Sequence, residues 1–428
     1  MVETMKPSGI EGFFDIPADW EVNKMAYVFS FGKGLSITKE DLQDEGIPAI
    51  SYGDIHSRFG FEIDPAINEL RCVDPKYIRS SPSALLHFGD FVFADTSEDV
   101  AGSGNFTHLN STMTTFASYH TITARAKREL DCRYMAYLFD SEPFRTQIRN
   151  RVSGVKVFSI TQQILKSAKL LLPPLNEQKA IAALLDDRCG QVDSIVADLE
   201  RQVEILQQYK KSLITETVTK GLDKSVPMKD SGIDWMGKIP AHWEVKRLKY
   251  VMNNHDSKRK PIEASERSQS GDVLYDYYGA SGVVDKIDDY IFDMTAILIG
   301  EDGANLVLRN LPLIYIASGK YWVNNHAHIL TPKVGHDLWY MAHLMEIIDY
   351  KDFITGSAQP KLSQEKLNNV LLITPPESEQ CQIGQFLNTK CAEVDAIIAE
   401  KQRAAETMRQ YKKSLIYEYV TGKKRVAF

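Results

Sequence analysis

The sequence predicts an α+β chain: two globular domains joined by two long antiparallel coiled-coil helices, the whole forming a pseudo-two-fold internal repeat. Three observations predict it. Residues 5–22 recur at 228–245 with 11 of 18 positions identical, 223 residues on. Residues 173–219 recur at 375–421 with 23 of 47 identical, 202 residues on, including an unbroken Gln-Tyr-Lys-Lys-Ser-Leu-Ile. The stretches between these blocks share only fragments, such as Tyr134-Met-Ala and Tyr340-Met-Ala. The chain therefore alternates variable and similar segments, with boundaries at 1–175, 176–222, 223–376 and 377–428.

Each variable segment reads as a compact α+β domain. Short β-branched or aromatic runs at 85–94, 120–124, 295–299 and 328–330 sit between Gly, Asp, Ser and Pro clusters, the pattern of strands broken by turns. A helical stretch closes each segment, at 133–150 and at 337–353.

The similar blocks read as helices. Pro173-Pro174 and Pro375-Pro376 stop what precedes them, and the stretches that follow lack proline and are rich in Ala, Leu, Glu, Gln and Lys. Leu185, Cys189, Val192, Val196, Leu199, Val203, Leu206 and Leu213 form a heptad seam interrupted at Lys210. Leu387, Cys391, Val394, Ile398, Ala405, Met408 and Leu415 repeat it, with Lys401 and Lys412 intruding. Gly190 is a candidate kink. Two weak seams of equal length predict that the helices pair with each other. Because the chain builds a whole domain between them, an antiparallel pair with the domains at opposite ends is the simplest closure.

Composition narrows the function. At 428 residues and 43% hydrophobic, the chain can bury several cores. Its apolar runs are too short for a bilayer, and the start carries no apolar signal region, so a cytoplasmic, non-membrane protein is expected. Five cysteines without a Cys-x-x-Cys pair fit a reducing compartment. No phosphate-loop, dinucleotide, zinc-protease or Asn-Pro-Pro-aromatic motif is present, so no catalytic or cofactor-binding residue is expected. Asp95, Glu98 and Asp99, and Glu301 and Asp302, read as solvated loop carboxylates rather than a metal site. His326 and His328, two apart on a strand face, read as polar-face residues.

Net charge is −7, yet basic residues cluster within the variable segments. Arg145, Arg149, Arg151 and Lys156 lie close in sequence, with Ser159 following; Lys258, Arg259 and Lys260 are consecutive, and Lys320 neighbours Trp322. Gly154 and Gly356 each precede the proline pair by 19 residues, with Lys156, Ser159, Gln359 and Lys361 at nearly equivalent points beyond them. Phosphate-gripping faces are expected there, solvated loops being the plainer alternative.

The twofold order of Ile16-Pro-Ala-Asp-Trp20 and Ile239-Pro-Ala-His-Trp243, the glycine loops, Pro-Pro-x-x-Glu-Gln at 173 and 375, and Tyr-Lys-Lys-Ser-Leu-Ile at 209 and 411 resembles the specificity subunit of type I restriction-modification systems. The resemblance covers essentially the whole chain. It implies a non-catalytic DNA-binding subunit whose two domains each read half of a split, asymmetric site in double-stranded DNA. It also implies two modification (methyltransferase) subunits, which carry S-adenosylmethionine, docked on the helices, with restriction subunits joining that core. The seam from Leu185 to Leu213 is roughly 43 Å long at 1.5 Å per residue, comparable with the roughly 34–36 Å between half-sites one turn apart. Helix positions Ile181, Leu184, Ile195, Tyr209, Ile383, Ile397 and Tyr411 are expected to serve docking. The other readings are an adaptor whose heads bind proteins, and a fused methyltransferase, which would need a cofactor motif.

Overall fold

The computed structural model describes residues 4–10, 13–267, 273–356 and 359–426. The chain divides into two compact units: Met1–Leu199 with Ala404–Phe428, and Glu200–Arg403. Each contains one α+β domain, the start of one long helix and the end of the other.

The first domain is built on a five-stranded sheet in the order Phe29–Lys33, Thr121–Ala126, Phe91–Ala94, Phe106–Leu109 and Phe61–Ile63. Only its last pair is parallel. A second sheet, ordered Cys72–Val73, Ile47–Ile50, Thr115–Ala117 and Leu85–Leu86, packs a smaller core. The second domain is built on Met252–Asn254, Ala327–Pro332, Ala296–Gly300 and Ile314–Ala317, all antiparallel. Those four strands follow the order of the first four strands of the other domain. A shared scaffold thus underlies segments whose sequences scarcely align. The run at 85–94 is not one strand: it breaks at Gly89, which holds φ at +82°.

The closing helices are shorter than the sequence suggests. The stretch at 133–150 splits into Cys132–Asp140 and Glu142–Arg149, because Ser141 is extended (φ −67°, ψ 141°) and Pro143 fits only the first turn of a new helix. The stretch at 337–353 is Leu338–Ile347 followed by a single 3-10 turn, Lys351–Phe353. Asp131 and Asp337 cap the two helices, accepting the N–H of Tyr134 and of Tyr340 at 2.8 Å.

The long helices are Leu175–Lys220 and Glu377–Val420, and the first runs unbroken through Gly190. Their shared motif bolts each onto its domain. Glu177 accepts the Trp20 indole N–H at 3.1 Å, and Glu379 accepts that of Trp243 at 2.9 Å. Gln178 donates to the Pro173 carbonyl and accepts the Asp131 N–H; Gln380 does the same with Pro375 and Asp337. Tyr134 and Tyr340, fully buried, donate to the carbonyls of Leu171 and Ile373. Every buried polar group of the bolt thus has a partner, which is why these residue types recur.

Apolar packing follows the same rule. In the first unit Ile181, Leu185 and Cys189 from one helix and Leu415, Ile416 and Val420 from the other enter a single core with Trp20 and Tyr134. In the second unit Ile383, Leu387, Cys391, Ile214 and Val218 do so with Trp243 and Tyr340. The helices pair antiparallel within each unit, as the repeat predicts. The lysines that interrupt the seams support the pairing: Lys412 reaches Asp193 and Lys210 reaches Asp395, each at 2.7 Å, and Lys401 donates to Gln202.

Candidate nucleic-acid interface

One end of each sheet gathers three segments distant in sequence. In the first domain Asp95, which follows the central strand, donates its N–H to the His120 carbonyl at 3.1 Å and accepts the Ile160 N–H at 2.8 Å. In the second, Glu301 donates to the His326 carbonyl at 2.8 Å and accepts from Leu362 at 2.7 Å. A glycine loop follows each: 97–104 and 302–304. The Gly154 and Gly356 loops close beside them through the bridges Ser153↔Ser159 and Thr355↔Lys361. The two glycines serve the turns themselves: a Cβ at Gly154 would lie 2.0 Å from the Val157 carbonyl oxygen, and one at Gly356 would lie 2.5 Å from that of Gln359.

The surroundings differ. In the first domain the ring of Tyr52 lies 5.7 Å from Tyr119 and 5.4 Å from His120. His120 holds a left-handed backbone at φ 53°, rare outside glycine although less so for histidine. In the second, Arg259 bonds Glu301 and the Ala327 carbonyl, Lys361 sits 3.2 Å from Glu301, and buried His328 spans Asp256 and the Leu362 carbonyl. Burial raises the Glu301 carboxyl, but the Arg259 hydrogen bond and neighbouring cations outweigh it and hold it below the usual carboxylate range. Asp256 is likewise raised by burial and lowered further by His328, Asn254 and the Ile329 N–H. His326 and His328 do not converge: His326 precedes the strand and faces Asp302, while His328 is fully buried.

The residues predicted to contact phosphate fall into two groups. Arg145 bonds Asn105 and Asp140, Arg149 bonds Glu142 and the Ala101 carbonyl, Arg151 bonds Ser167, and Arg259 lies in the buried network above. These guanidiniums tie loops to helices, since nearby carboxylates and carbonyls offer better geometry than solvent. Lys156, Ser159, Lys258, Lys260, Lys320, Gln359 and Lys361 are exposed. Lys320 stands over the Tyr290 ring at 4.4 Å. His120 was not singled out in the sequence and His326 was read only as a polar-face residue, although both lie 14 residues before the matched Tyr-Met-Ala fragments, at the same offset of 206.

Two expected docking positions are corrected. Ile181 and Ile383 are at most 1% exposed, because the first turns of each long helix face their own domain as well as the other helix. Leu184 packs partly buried against the first core. Ile195, Tyr209, Ile397 and Tyr411 are open, between 42% and 53% exposed.

A scaffold built twice, with like bolts and unlike rims, defines a repeat protein whose halves share mechanics and differ in surface. The model of the family described as the type I restriction modification DNA specificity domain matches residues 17–213 and again 240–407. The chain belongs to that family. It is similar to the type I restriction enzyme MjaVIII specificity subunit of Methanocaldococcus jannaschii, 26% identical over 321 residues that cover 68% of this chain and 70% of the relative. It is also similar to the EcoBI specificity subunit of Escherichia coli, 23% identical over 303 residues, 65% and 63% of the two chains. A chain solved in work on assembly and conformational transition of the type I R-M system has the same fold: TM-score 0.67 at 15% identity, covering 96% of this chain and 99% of that one. No helix among the described residues is long and apolar enough to cross a membrane.

Proposed function

We propose that this chain is the DNA-reading subunit of a type I restriction-modification assembly, without catalysis of its own, in which each domain reads one half of a bipartite, asymmetric double-stranded site. The observation that carries this reading is the pair of domains with one strand order and two different rims, the arrangement expected if two half-sites of different sequence are read from one scaffold. The exposed lysines of the rims supply phosphate contacts, and the arginines engaged within the fold do not. Modification subunits hold the S-adenosylmethionine and dock on the open helix faces. Ile195 and Ile397, and Tyr209 and Tyr411, are repeat-equivalent and similarly open, which favours two copies of that partner, with restriction subunits joining them in the cytoplasm.

Exchanging residues 23–172 for the matching segment of another family member, in the assembled complex, tests the reading. Mapping methylated adenines in host DNA should then show one half of the site altered and the other retained. Change in both halves would sink the assignment of one half-site to each domain.

A further inference from the structure

We infer that His120 and His326 are paired phosphate-binding residues, each held by a carboxylate, so that this protein takes up protons as it binds DNA. The inference rests on the DNA-reading function proposed above and adds to it a contact common to both domains. The two histidines occupy the same place: each immediately precedes the strand beside the central strand, and each gives its carbonyl to the residue that directly follows that central strand. Their side chains are 57% and 46% exposed. Each turns Nδ1 to an acid, His120 to Asp95 at 3.1 Å and His326 to Asp302 at 2.8 Å. Among the described residues, Nε2 has no hydrogen-bond partner in either.

A rim position that stays the same while its neighbours change must contact something both half-sites share. What DNA half-sites share is the sugar-phosphate backbone. A carboxylate only accepts, so the Nδ1 that faces it carries a hydrogen. A phosphate oxygen also only accepts, so it is bonded by Nε2 only when the ring holds both protons. Asp95 and Asp302 are then positioning residues that fix ring direction, and the bound state carries up to one extra proton at each histidine. The groups facing His120 are Asp95 and the rings of Tyr52 and Tyr119; those around His326 are Asp302 and the Glu301–Arg259–Lys361 network beside it.

The test is the binding of the full chain, assembled with its modification subunits, to a fluorescently labelled mixed-sequence duplex between about pH 6 and about pH 8, where imidazole titrates. The wild-type affinity should fall several-fold as pH rises. His120→Asn and His326→Asn, which keep a polar side chain and tolerate left-handed backbone, should each remove part of that dependence and, at the lower pH, reduce the salt slope by about one. Calorimetry in two buffers of different ionisation heat counts the protons taken up without any substitution; no net uptake near neutrality overturns the inference. So does a pH dependence retained in the double variant, or affinity that rises with pH and loses that rise in the variants, the sign of a neutral ring accepting from a base amino group. Failure of the wild type to bind duplex at any pH would instead remove the DNA-reading function itself.

Discussion

The two domains share their attachments and differ in their rims, and even the attachments differ in charge. Asp186 of the first long helix accepts the Tyr137 hydroxyl at 2.7 Å and pairs with Arg133, which also reaches Glu62. At the equivalent joint Asn388 accepts from His343 at 2.8 Å, with no ion involved. Burial, then the bond to Asp186, pushes the Tyr137 hydroxyl well above the usual tyrosine range; burial pulls His343 below the usual histidine range although Asn388 opposes it. Hydrogen-bond geometry is kept and its ionic character is not. What is repeated in this chain is therefore the position of donors and acceptors, and charge is free to drift wherever each group still finds a partner.

The glutamates of the two bolts give the sharpest contrast. Glu177 is 1% exposed and is shared by Trp20 and Arg425, which also pairs with Asp19. Glu379 has a side chain 37% exposed and is shared by Trp243 and the surface residue His242. Glu177→Ala leaves a buried indole N–H without its acceptor and Arg425 with Asp19 as its remaining named partner, so it should cost about 3 kcal/mol. Glu379→Ala should cost about 1 kcal/mol, since water replaces the lost acceptor. Urea unfolding of both variants measures this. Equal losses would break the comparison, because burial would then not govern the bolt.

The rims should differ more gently. Lys156 has no ion-pair partner among the described residues, whereas Lys361 is 3.2 Å from Glu301. If both meet phosphate, Lys156→Ala should lower the salt slope of DNA binding by about one, and Lys361→Ala by clearly less, because its charge is already partly neutralised. Anisotropy titrations across a salt series read both slopes. A larger change at Lys361 would show that the Glu301 pair opens on binding and would reverse the ranking.

How far the sequence foretells this molecule depends on which neighbours a residue meets. The repeat blocks, the long helices and their antiparallel pairing were legible because heptads and proline stops are local signals. Ile181 and Ile383 were misread because a heptad pattern describes a helix facing one partner, while these turns face a domain as well. For Arg145 and Arg149 the sequence reveals the cation but not the partners it meets in the fold, Asn105, Asp140 and the Ala101 carbonyl. The common strand order was invisible because inward positions accept many apolar residues. His120 and His326 were within reach, since their offset is that of the Tyr-Met-Ala fragments rather than of either long block.

The smallest effect tests the symmetric part of the chain. Lys210 with Asp395 and Lys412 with Asp193 are equivalent pairs, one in each unit, both at 2.7 Å. Their side-chain exposures nearly coincide, 29% and 55% in one pair against 31% and 60% in the other. Half-exposed pairs of this kind contribute about 0.5 kcal/mol and weaken in salt. Double-mutant cycles, Lys210→Ala with Asp395→Ala and Lys412→Ala with Asp193→Ala, should return couplings equal within about 0.3 kcal/mol, because each cycle cancels whatever else its unit contains. The domains are unlike, so two equal couplings would mean that the seam does not sense which domain it carries. Couplings that differed by more than about 1 kcal/mol would mean that the rims and the joints reach the helices, and that the shared mechanics stop at the bolts.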